Sequence, residues 1–314
     1  MKQLPPDTPE QSLITQYKGP RLVVKAYAGT GKTTTLVKYA HNNLDSRILY
    51  LAYNRAIRDE AREKFPANVD CKTSHQLAYA TIGRGYQHKL SGNLRLTDIA
   101  QAVNTKNWTF AKDILDTLNA FMCSADMRIL YTHFARADTG KVLTSKQERY
   151  QIQVVEGAEL IWKRMTNVQD PFPTVHDCYL KQYQLGMPNL SRRYTTILFD
   201  EAQDANPVTS SIVLQQNCKV ILVGDRHQQI YRFRGANNAL DSKELMNADQ
   251  LYLTHSFRFG PNVSLVANAL LELKGETRPV VGRGPADQVV MFLPGDVGHQ
   301  IGRASCRERV SSPV

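Results

Sequence analysis

The sequence predicts an α/β fold in which a parallel sheet has helices on both of its faces. Three observations lead to this prediction. Short and almost continuously apolar runs alternate with helical or mixed segments, which is the pattern of strands buried on both faces. One interval, residues 84–190, lacks such runs and indicates a helical subdomain inserted into the sheet. Finally, 42% of the 314 residues are hydrophobic and 22% are charged, as in ordinary globular proteins.

Five apolar runs are predicted as the strands of this sheet. Each is rich in branched or aromatic apolar residues and is followed by a polar turn. Three of them precede the long interval and two follow it, so the sheet is expected to be assembled from two separate parts of the chain. The five runs are Arg21–Lys25, Arg47–Ala52, Val69–Lys72, Thr195–Phe199 and Lys219–Val223.

The interval at residues 84–190 is predicted to be helical and basic. Ser145 and Glu148 have the spacing of a capping box, which would open a helix that ends near Asn167. From Gly83 to Arg193 the chain has 15 Lys and Arg against 10 Asp and Glu, so half of the net charge of +10 lies here. Apolar residues recur along the predicted helix at three- and four-residue spacing, namely Ile152, Val155, Ala158, Ile161, Trp162 and Met165.

Charge, cysteine content and hydropathy narrow the class of protein. The net charge of +10 favours a polyanionic partner such as nucleic acid. The five cysteines are scattered without a CxxC pair, so neither a zinc site nor a disulfide framework is predicted and a reducing, intracellular compartment is expected. No apolar run approaches the ~18 residues of a spanning helix, and the N-terminus lacks the apolar part of a secretory signal. No membrane partner is therefore expected.

The most specific local pattern is AYAGTGKT at residues 26–33, which follows the first predicted strand and opens a helix. This context is typical of a phosphate-binding loop, although Ala26 stands where the general pattern has glycine. The glycines let backbone N–H groups turn toward phosphate oxygens, Lys32 supplies a cation to the β- and γ-phosphates, and the Thr33 hydroxyl can bind Mg²⁺. The predicted nucleotide contacts are Ala28, Gly29, Thr30, Gly31, Lys32, Thr33 and Thr34.

An acidic pair follows the fourth predicted strand. Asp200 lies at the carboxyl end of that strand, where open parallel sheets bind ligands, and it is predicted to hold Mg²⁺. Glu201 is positioned to polarise the attacking water as a general base. Together with the phosphate loop, this pair predicts hydrolysis of a nucleoside triphosphate, with ATP and Mg²⁺ as cofactors.

Several further motifs occur in a fixed order along the chain. On these motifs the chain resembles the UvrD/Rep-type superfamily 1 DNA helicases, and the last three favour the F-box DNA helicase branch. The motifs are Thr8–Gln11, Tyr53–Ile57, Thr73–His75, His176–Lys181, His227–Tyr231 and Ser256–Gly260.

The resemblance implies a RecA-like P-loop NTPase sheet with the inserted helical subdomain and a truncated second RecA-like domain. The first motor domain is expected at residues 1–83 and 191–236, and the insert at 84–190. The second motor domain is expected to start at 237 and to be cut short near 300, with a non-native tail at 301–314. No F-box is expected, since the glutamine motif begins close to Met1.

The resemblance also implies roles for single residues. Gln11 would read the adenine, Gln228 would sense the γ-phosphate, and Arg258 would be an arginine finger that joins Lys32 and Glu201 in catalysis. The residues of the His176–Lys181 motif are interpreted as structural. Contacts to single-stranded DNA are expected from Asn54, Thr73, His75, Tyr231, Phe233 and Arg234, with Phe233 as a base-stacking aromatic.

Three functions remain open at this point. The first is an ATP-dependent DNA helicase that moves along single-stranded DNA, with the 3′ to 5′ polarity that the resemblance implies. The second is a translocase that strips recombinase filaments from single-stranded DNA. The third is a nucleotide-binding module without motor activity. The sequence does not determine the oligomeric state.

Overall fold

A six-stranded parallel sheet organises most of the chain. The computed structural model describes residues 6–134, 143–229 and 238–289. The strand order in the sheet is β3-β2-β6-β7-β1-β8, and each of its pairings in the described residues is parallel. These strands are β1 (Arg21–Ala26), β2 (Ile48–Ala52), β3 (Val69–Thr73), β6 (Thr196–Phe199), β7 (Lys219–Gly224) and β8 (Asp249–Leu253), while β4 (Leu90–Ser91) and β5 (Thr174–Val175) form a small separate pair.

The predicted α/β class is confirmed, and each of the five predicted strands forms within one residue of its expected ends. The sixth strand, β8, was not predicted. It lies at the edge of the sheet beside β1, and Asp249 and Gln250 in it are exposed, so its sequence contains no continuous apolar run. The expected start of the second domain at residue 237 would place β8 outside this sheet. The chain instead divides into compact units after His255.

Alternate residues of the strands pack into two separate apolar cores, one on each face of the sheet. In β1, Leu22 and Val24 belong to one core and Val23 to the other, because successive side chains of a strand point to opposite faces. The first core is covered by α1 (Pro9–Thr15), α2 (Lys32–His41) and α3 (Arg55–Lys64), and the second by α4 (Ser74–Thr81), α8 (His176–Leu185) and α9 (Pro207–Leu214).

The predicted insert is helical and has a third core of its own. It contains α5 (Leu96–Ala102), α6 (Trp108–Cys123), α7 (Ser145–Thr166) and α8. The capping box of α7 is real but begins one residue earlier than predicted, since Thr144 is the N-cap and pairs with Gln147. TSKQE satisfies the pattern in both registers, and hydrogen bonding selects the first. Of the apolar residues that recur along this helix, Ile152 is 41% exposed.

The second unit begins at Ser256 and is described as far as residue 289. Its main element is α10 (Pro261–Leu273), which is accompanied by the short strands β9 (His255–Ser256) and β10 (Val281–Gly282). The Asp287 carboxylate accepts hydrogen bonds from the backbone N–H groups of Asn262 and Val263 at 3.0 and 3.1 Å. It thereby satisfies donors in the first turn of α10 that no intrahelical carbonyl reaches.

In the part of the chain that the structure describes, no helix combines the length and the apolar character needed to cross a membrane.

Candidate nucleotide site and nucleic-acid interface

The loop between β1 and α2 has the backbone geometry of a phosphate-binding loop. Gly29 and Gly31 have φ angles of 73° and 77°, a left-handed conformation that glycine adopts without the steric cost of a side chain. Gly31 is the N-cap of α2, and no side chain caps that helix, so its first N–H groups face the loop. The Thr30 hydroxyl donates to the Tyr27 carbonyl oxygen at 2.9 Å and fixes the loop from inside.

The predicted catalytic residues of the loop and of β6 meet at the carboxyl edge of the sheet. Lys32 Nζ lies 3.1 Å from Glu201 Oε2, and the Thr33 hydroxyl donates to Asp200 Oδ2 at 3.2 Å. Glu201 has φ 50° and ψ 40°, a left-handed conformation that is unusual for a residue with a side chain. The backbone is strained at the predicted general base, as is common where a catalytic group must point in one direction.

Asp200 is a buried carboxylate whose negative charge must be compensated by its surroundings. Its side chain is 1% exposed, and burial, followed by repulsion from Glu201, raises its pKa. The Tyr50 hydroxyl donates to Asp200 Oδ2 at 2.7 Å and opposes this shift, as does the nearby Lys32 ammonium. The Glu201 N–H donates to Asp200 Oδ1 at 2.9 Å.

The oxygen atoms of Thr33 and Asp200 are a suitable donor set for Mg²⁺, which prefers hydroxyl, carboxylate and phosphate oxygens and keeps several water ligands. Burial of Asp200 without a full countercharge also favours a cation beside it. No cluster of three or more His, Cys, Asp or Glu side chains suited to a metal occurs among the described residues. A cation here would therefore take its other ligands from phosphate and water.

A chain of hydrogen bonds connects the predicted phosphate sensor to the predicted base. Gln228 lies on the turn Arg226–Gln228 after β7, and its Nε2 donates to Asp225 Oδ2 at 2.6 Å. The Asp225 N–H donates to Gln203 Oε1 at 3.1 Å, and Gln203 Nε2 donates to Glu201 Oε2 at 2.7 Å. A displacement of the Gln228 turn would therefore shift Glu201 through the two intervening residues, Asp225 and Gln203.

Gln11 lies beside the phosphate loop. Its side chain is 4% exposed, and a Cβ atom at Gly31 would lie 3.2 Å from Gln11 Nε2. The side-chain Oε1 of Gln11 accepts the Thr8 N–H at 3.0 Å in a capping box that starts α1. The residue predicted to read adenine thus has a structural role at the same time.

Two of the predicted DNA contacts are helix N-caps at the carboxyl edge of the sheet. The Asn54 side chain accepts the Ile57 N–H at 2.9 Å and opens α3, and the Thr73 hydroxyl accepts the Gln76 N–H at 3.3 Å and opens α4. Both caps follow adjacent strands, β2 and β3. Adjacent parallel strands end at the same edge, so the first turns of α3 and α4 are neighbours on this surface.

His75, the third predicted DNA contact in this part of the chain, borders a cavity of about 300 Å³. Tyr53, Asn206 and Thr209 also line it. His75 Nε2 lies 2.9 Å from Asp177 Oδ1, so the insert contributes to this surface. The interpretation of the whole His176–Lys181 motif as structural did not include this contact.

The remaining predicted site residues are placed as follows. Tyr231, Phe233 and Arg234 lie outside the described residues. Arg258 belongs to the second unit, where it is exposed and its N–H donates to the Ser256 hydroxyl at 3.4 Å.

Comparison with known proteins assigns the family. The UvrD/REP helicase N-terminal domain matches residues 7–245, which is most of the chain. The chain belongs to the UvrD/REP helicase family. The resemblance that the sequence motifs predicted is thereby confirmed, and so is the RecA-like character of the sheet.

Three relatives refine the comparison. F-box DNA helicase 1 of Gallus gallus is 39% identical over 284 residues, which cover 85% of this chain and 28% of that protein. F-box DNA helicase protein 1 of Schizosaccharomyces pombe is 36% identical over 301 residues, which cover 88% of this chain and 34% of that protein. The ATP-dependent DNA helicase PcrA of Leuconostoc citreum is 26% identical over 310 residues, covering 88% and 40%. The chain thus spans only 28–40% of the length of these relatives.

Two residues of this UvrD/REP helicase site were missed by sequence reasoning. Tyr50 looked like one more apolar residue of β2, but a phenol in a fully buried strand needs a hydrogen-bond partner, and this requirement is a usable signal. Gln203 stands inside the DEAQD run beside the acidic pair, and its side chain contacts both Glu201 and Asp204. A buried amide between carboxylates can be expected to organise them.

Proposed function

We propose that this chain is the nucleotide-binding part of the motor of an ATP-dependent DNA helicase that moves along single-stranded DNA. The observation that carries the proposal is the meeting of Lys32 and Thr33 with Asp200 and Glu201 at the carboxyl edge of the sheet. These four side chains come from two elements far apart in sequence, and they supply a phosphate-binding cation, two oxygen ligands and a base. Membership of the UvrD/REP family supports DNA as the polymer on which the motor acts.

Lys32 and Glu201 are proposed to exchange partners during turnover. Their contact of 3.1 Å neutralises both charges and occupies the carboxylate. Phosphate oxygens of bound ATP compete for the ammonium, since charge-assisted hydrogen bonds to phosphate are strong. Glu201, released from Lys32 and still oriented by Gln203, accepts a proton from the attacking water. The left-handed backbone at Glu201 keeps its carboxylate directed toward the loop.

Mg²⁺ is the proposed second cofactor, held by Thr33 and Asp200. When bound, it would neutralise charge that develops on the phosphate oxygens. The chain's own contribution is to keep Asp200 ionised and aligned, through the Tyr50 hydroxyl on one oxygen and the Glu201 N–H on the other.

The remaining roles complete the proposal. Gln11 reads the adenine, Gln228 reports the γ-phosphate through Asp225 and Gln203, and Arg258 stabilises the transferred phosphoryl group. Movement along DNA has 3′ to 5′ polarity, as the family resemblance implies. The proposed contacts to single-stranded DNA are Asn54, Thr73, His75, Tyr231, Phe233 and Arg234.

The proposal is tested by Lys32→Ala. This change removes the cation that meets the phosphates, so we expect nucleotide affinity to fall by at least about 10-fold and hydrolysis to be lost. Binding of a fluorescent ATP analogue and phosphate release, each with and without an oligonucleotide, measure these effects. Lys38→Ala is a matched control on the same helix, because Lys38 pairs with Asp7 outside the loop. Unchanged turnover in Lys32→Ala would refute the nucleotide site.

Strand separation and recombinase removal are distinguished by a second assay. The assay uses a protein that contains these residues and also the further length that its relatives have. This protein is given duplex DNA with a single-stranded tail at either the 3′ or the 5′ end. Preferential displacement from the 3′ tail supports a helicase with the proposed polarity. Clearance of recombinase from single-stranded DNA without duplex displacement would support the alternative translocase.

A further inference from the structure

We propose that Asp177, in the inserted helical subdomain, is a positioning residue for His75, so that binding of single-stranded DNA by the motor domain depends on a side chain of the insert. This inference rests on the proposed function, because it takes His75 to be a DNA contact. It gives a residue of the His176–Lys181 motif, which the sequence analysis interprets as structural, a role in positioning a DNA contact.

The contact joins two helices at their first turns. His75 is the second residue of α4 and Asp177 is the second residue of α8, and 102 positions separate them in sequence. The 2.9 Å distance between His75 Nε2 and Asp177 Oδ1 is that of a direct hydrogen bond. Both side chains are partly open to the cavity, with exposures of 39% and 49%, so the pair lies where a ligand can reach it.

Aromatic packing fixes the imidazole from a second direction. The Tyr179 ring lies edge-on to His75 with centroids 6.1 Å apart, and it also meets Tyr79 of α4 at 5.7 Å. His176 Nδ1 lies 2.9 Å from the Tyr179 hydroxyl and holds that ring in turn. His75 is thus oriented by a carboxylate and by an aromatic edge, and both come from α8.

The helix that carries Asp177 is anchored in both subdomains. Tyr179, Leu180 and Tyr183 of α8 belong to the core that also contains Leu77 of α4, and Cys178 belongs to the core of the insert. The buried Lys181 ammonium donates to the carbonyl oxygens of Ser124 and Asp126 at 2.9 and 2.5 Å. α8 is therefore fixed against the sheet and against the insert at the same time, and it presents Asp177 at a defined position.

The pairing defines which nitrogen of His75 remains for DNA. An ionised carboxylate only accepts hydrogen bonds, so Nε2 must carry the hydrogen and Nδ1 is the other polar atom of the ring. The hydrogen bond from His75 lowers the pKa of Asp177, which keeps the carboxylate ionised. A loose imidazole would populate both tautomers and several rotamers, and ordering it would cost part of the binding energy.

A direct effect of Asp177 on DNA would have the opposite sign. A carboxylate on a phosphate-facing surface repels the strand, so its removal would strengthen binding if repulsion dominated. The positioning role predicts that its removal weakens binding and that the loss requires His75. The two readings are therefore separable by the direction of one measurement and by a double-mutant cycle.

The experiment uses the 314-residue chain and a fluorescein-labelled oligo-dT, with the dissociation constant measured by anisotropy. The variants are Asp177→Ala, Asp177→Asn, His75→Ala and the double variant Asp177→Ala/His75→Ala. Asp116→Ala is the matched control, because it removes the same charge from the insert at an exposed pair with Lys112. Thermal melting and the affinity for a fluorescent ATP analogue are measured for each variant.

We expect Asp177→Ala and His75→Ala each to weaken oligo-dT binding by about 3- to 10-fold, the effect of one lost hydrogen bond. The double variant should be no weaker than His75→Ala alone. Asp177→Asn, whose amide oxygen still accepts from Nε2, should keep most of the affinity. ATP affinity and the melting temperature should stay close to those of the parent chain, and Asp116→Ala should not weaken DNA binding.

Tighter binding by Asp177→Ala, or additive losses in the double variant, would overturn the inference while leaving the proposed function intact. An unchanged affinity in His75→Ala would also overturn it. Absence of any oligo-dT binding by the parent chain would contradict the proposed function itself, and the inference with it.

Discussion

At the scale of single residues, the site brings two carboxylates and one ammonium together at the carboxyl edge of the sheet. Asp200 is almost fully buried, whereas Glu201 keeps part of its surface open. The two neighbouring acids are therefore held in different environments, and this difference separates a ligand from a base. Two predictions follow from it, one for each acid.

Glu201→Gln should retain ATP binding and lose hydrolysis. The amide keeps the size of the side chain and its hydrogen bond with Gln203, but it cannot accept a proton from water. Removal of a general base typically costs about 10²–10⁴-fold in rate. Equilibrium binding of ATP and single-turnover phosphate release check this expectation. A loss of ATP affinity as large as that of Lys32→Ala would identify Glu201 as a ligand and not as the base.

Asp200→Asn should stabilise the chain while weakening its response to Mg²⁺ with ATP. Burial raises the pKa of Asp200, so the folded protein favours the neutral carboxyl more than the unfolded chain does. The free energy of unfolding of the parent chain therefore falls as pH rises from 3.8, the ordinary value, through the raised folded-state pKa. Asp200→Asn has no carboxyl to ionise and does not lose this stability. The difference in the free energy of unfolding between the variant and the parent chain should therefore grow as pH rises through this range. At pH 7.5 we expect a melting temperature higher by roughly 2–4 °C, the shift that about 1 kcal/mol produces.

Melting curves from pH 4 to 8, with and without Mg²⁺ and ATP, test both parts of this prediction. The parent chain should gain stability from Mg²⁺ and ATP together, and Asp200→Asn should gain little. Tyr50→Phe is an informative control, because it removes the donor to Asp200 but keeps the charge. A variant that is less stable than the parent chain at pH 7.5 would show that the buried charge is fully compensated.

At the scale of elements, the insert depends on a close contact between α6 and α7. Gly157 of α7 faces Ile114 of α6, and a Cβ atom at this glycine would lie 2.5 Å from Ile114 Cδ1. Ile114 is fully buried, so its side chain has little room to move away. Glycine in the middle of a helix is otherwise unfavourable by about 1 kcal/mol relative to alanine. The close approach of the two helices explains its presence here.

Gly157→Ala should destabilise the insert despite the better helix propensity of alanine. Overpacking in a well-filled core costs about 1–3 kcal/mol, which exceeds or matches the helical gain. Chemical denaturation monitored by the fluorescence of Trp108 and Trp162, which both lie in the insert, measures the change. Ile114→Val removes the clashing methyl group and should restore part of the stability in the double variant. A more stable Gly157→Ala would mean that α6 and α7 separate without cost.

The position of a strand in the sheet decides whether the sequence predicts it. Strands β1, β2, β3, β6 and β7 are buried on both faces, so each appears as a continuous apolar run and was predicted. Strand β8 is at the edge, and only Leu253 in it is fully buried, so its pattern resembles a loop. The capping box of α7 was placed one residue late because two overlapping registers have the same chemistry. Only the hydrogen bonds distinguish them.

For the site, motifs identified the phosphate loop and the acidic pair, since both are contiguous in sequence. The partners contributed by distant elements were not predictable in the same way. Tyr50 reaches Asp200 across 150 positions, and Asp177 reaches His75 across 102. Such contacts depend on strand order and helix packing, which local patterns do not encode.

At the scale of the whole molecule, the net charge of +10 should govern the interaction with nucleic acid. We expect binding of single-stranded DNA that weakens steeply with salt, with a log–log slope of about 0.7 for each phosphate contacted. Oligo-dT and mixed sequences should bind with similar affinity, because backbone contacts and base stacking carry little sequence information. Anisotropy titrations between about 50 and 300 mM NaCl, which bracket the physiological ionic strength, provide the measurement. Salt-independent binding would contradict an electrostatic interface.

The edge strand β8 has a mechanical consequence. Its carboxyl end leads directly into the second unit, and along its length it pairs with five residues of β1, the strand that leads into the phosphate loop. Glu10, next to Gln11, accepts hydrogen bonds from the N–H and hydroxyl groups of Thr254 at the end of β8. Tension applied to the chain at residue 256 would thus act first on the hydrogen bonds between Thr254 and the Glu10 carboxylate. Pulling force on the chain at this point would therefore reach β1 and α1, the two segments that border the bound nucleotide in the proposed motor.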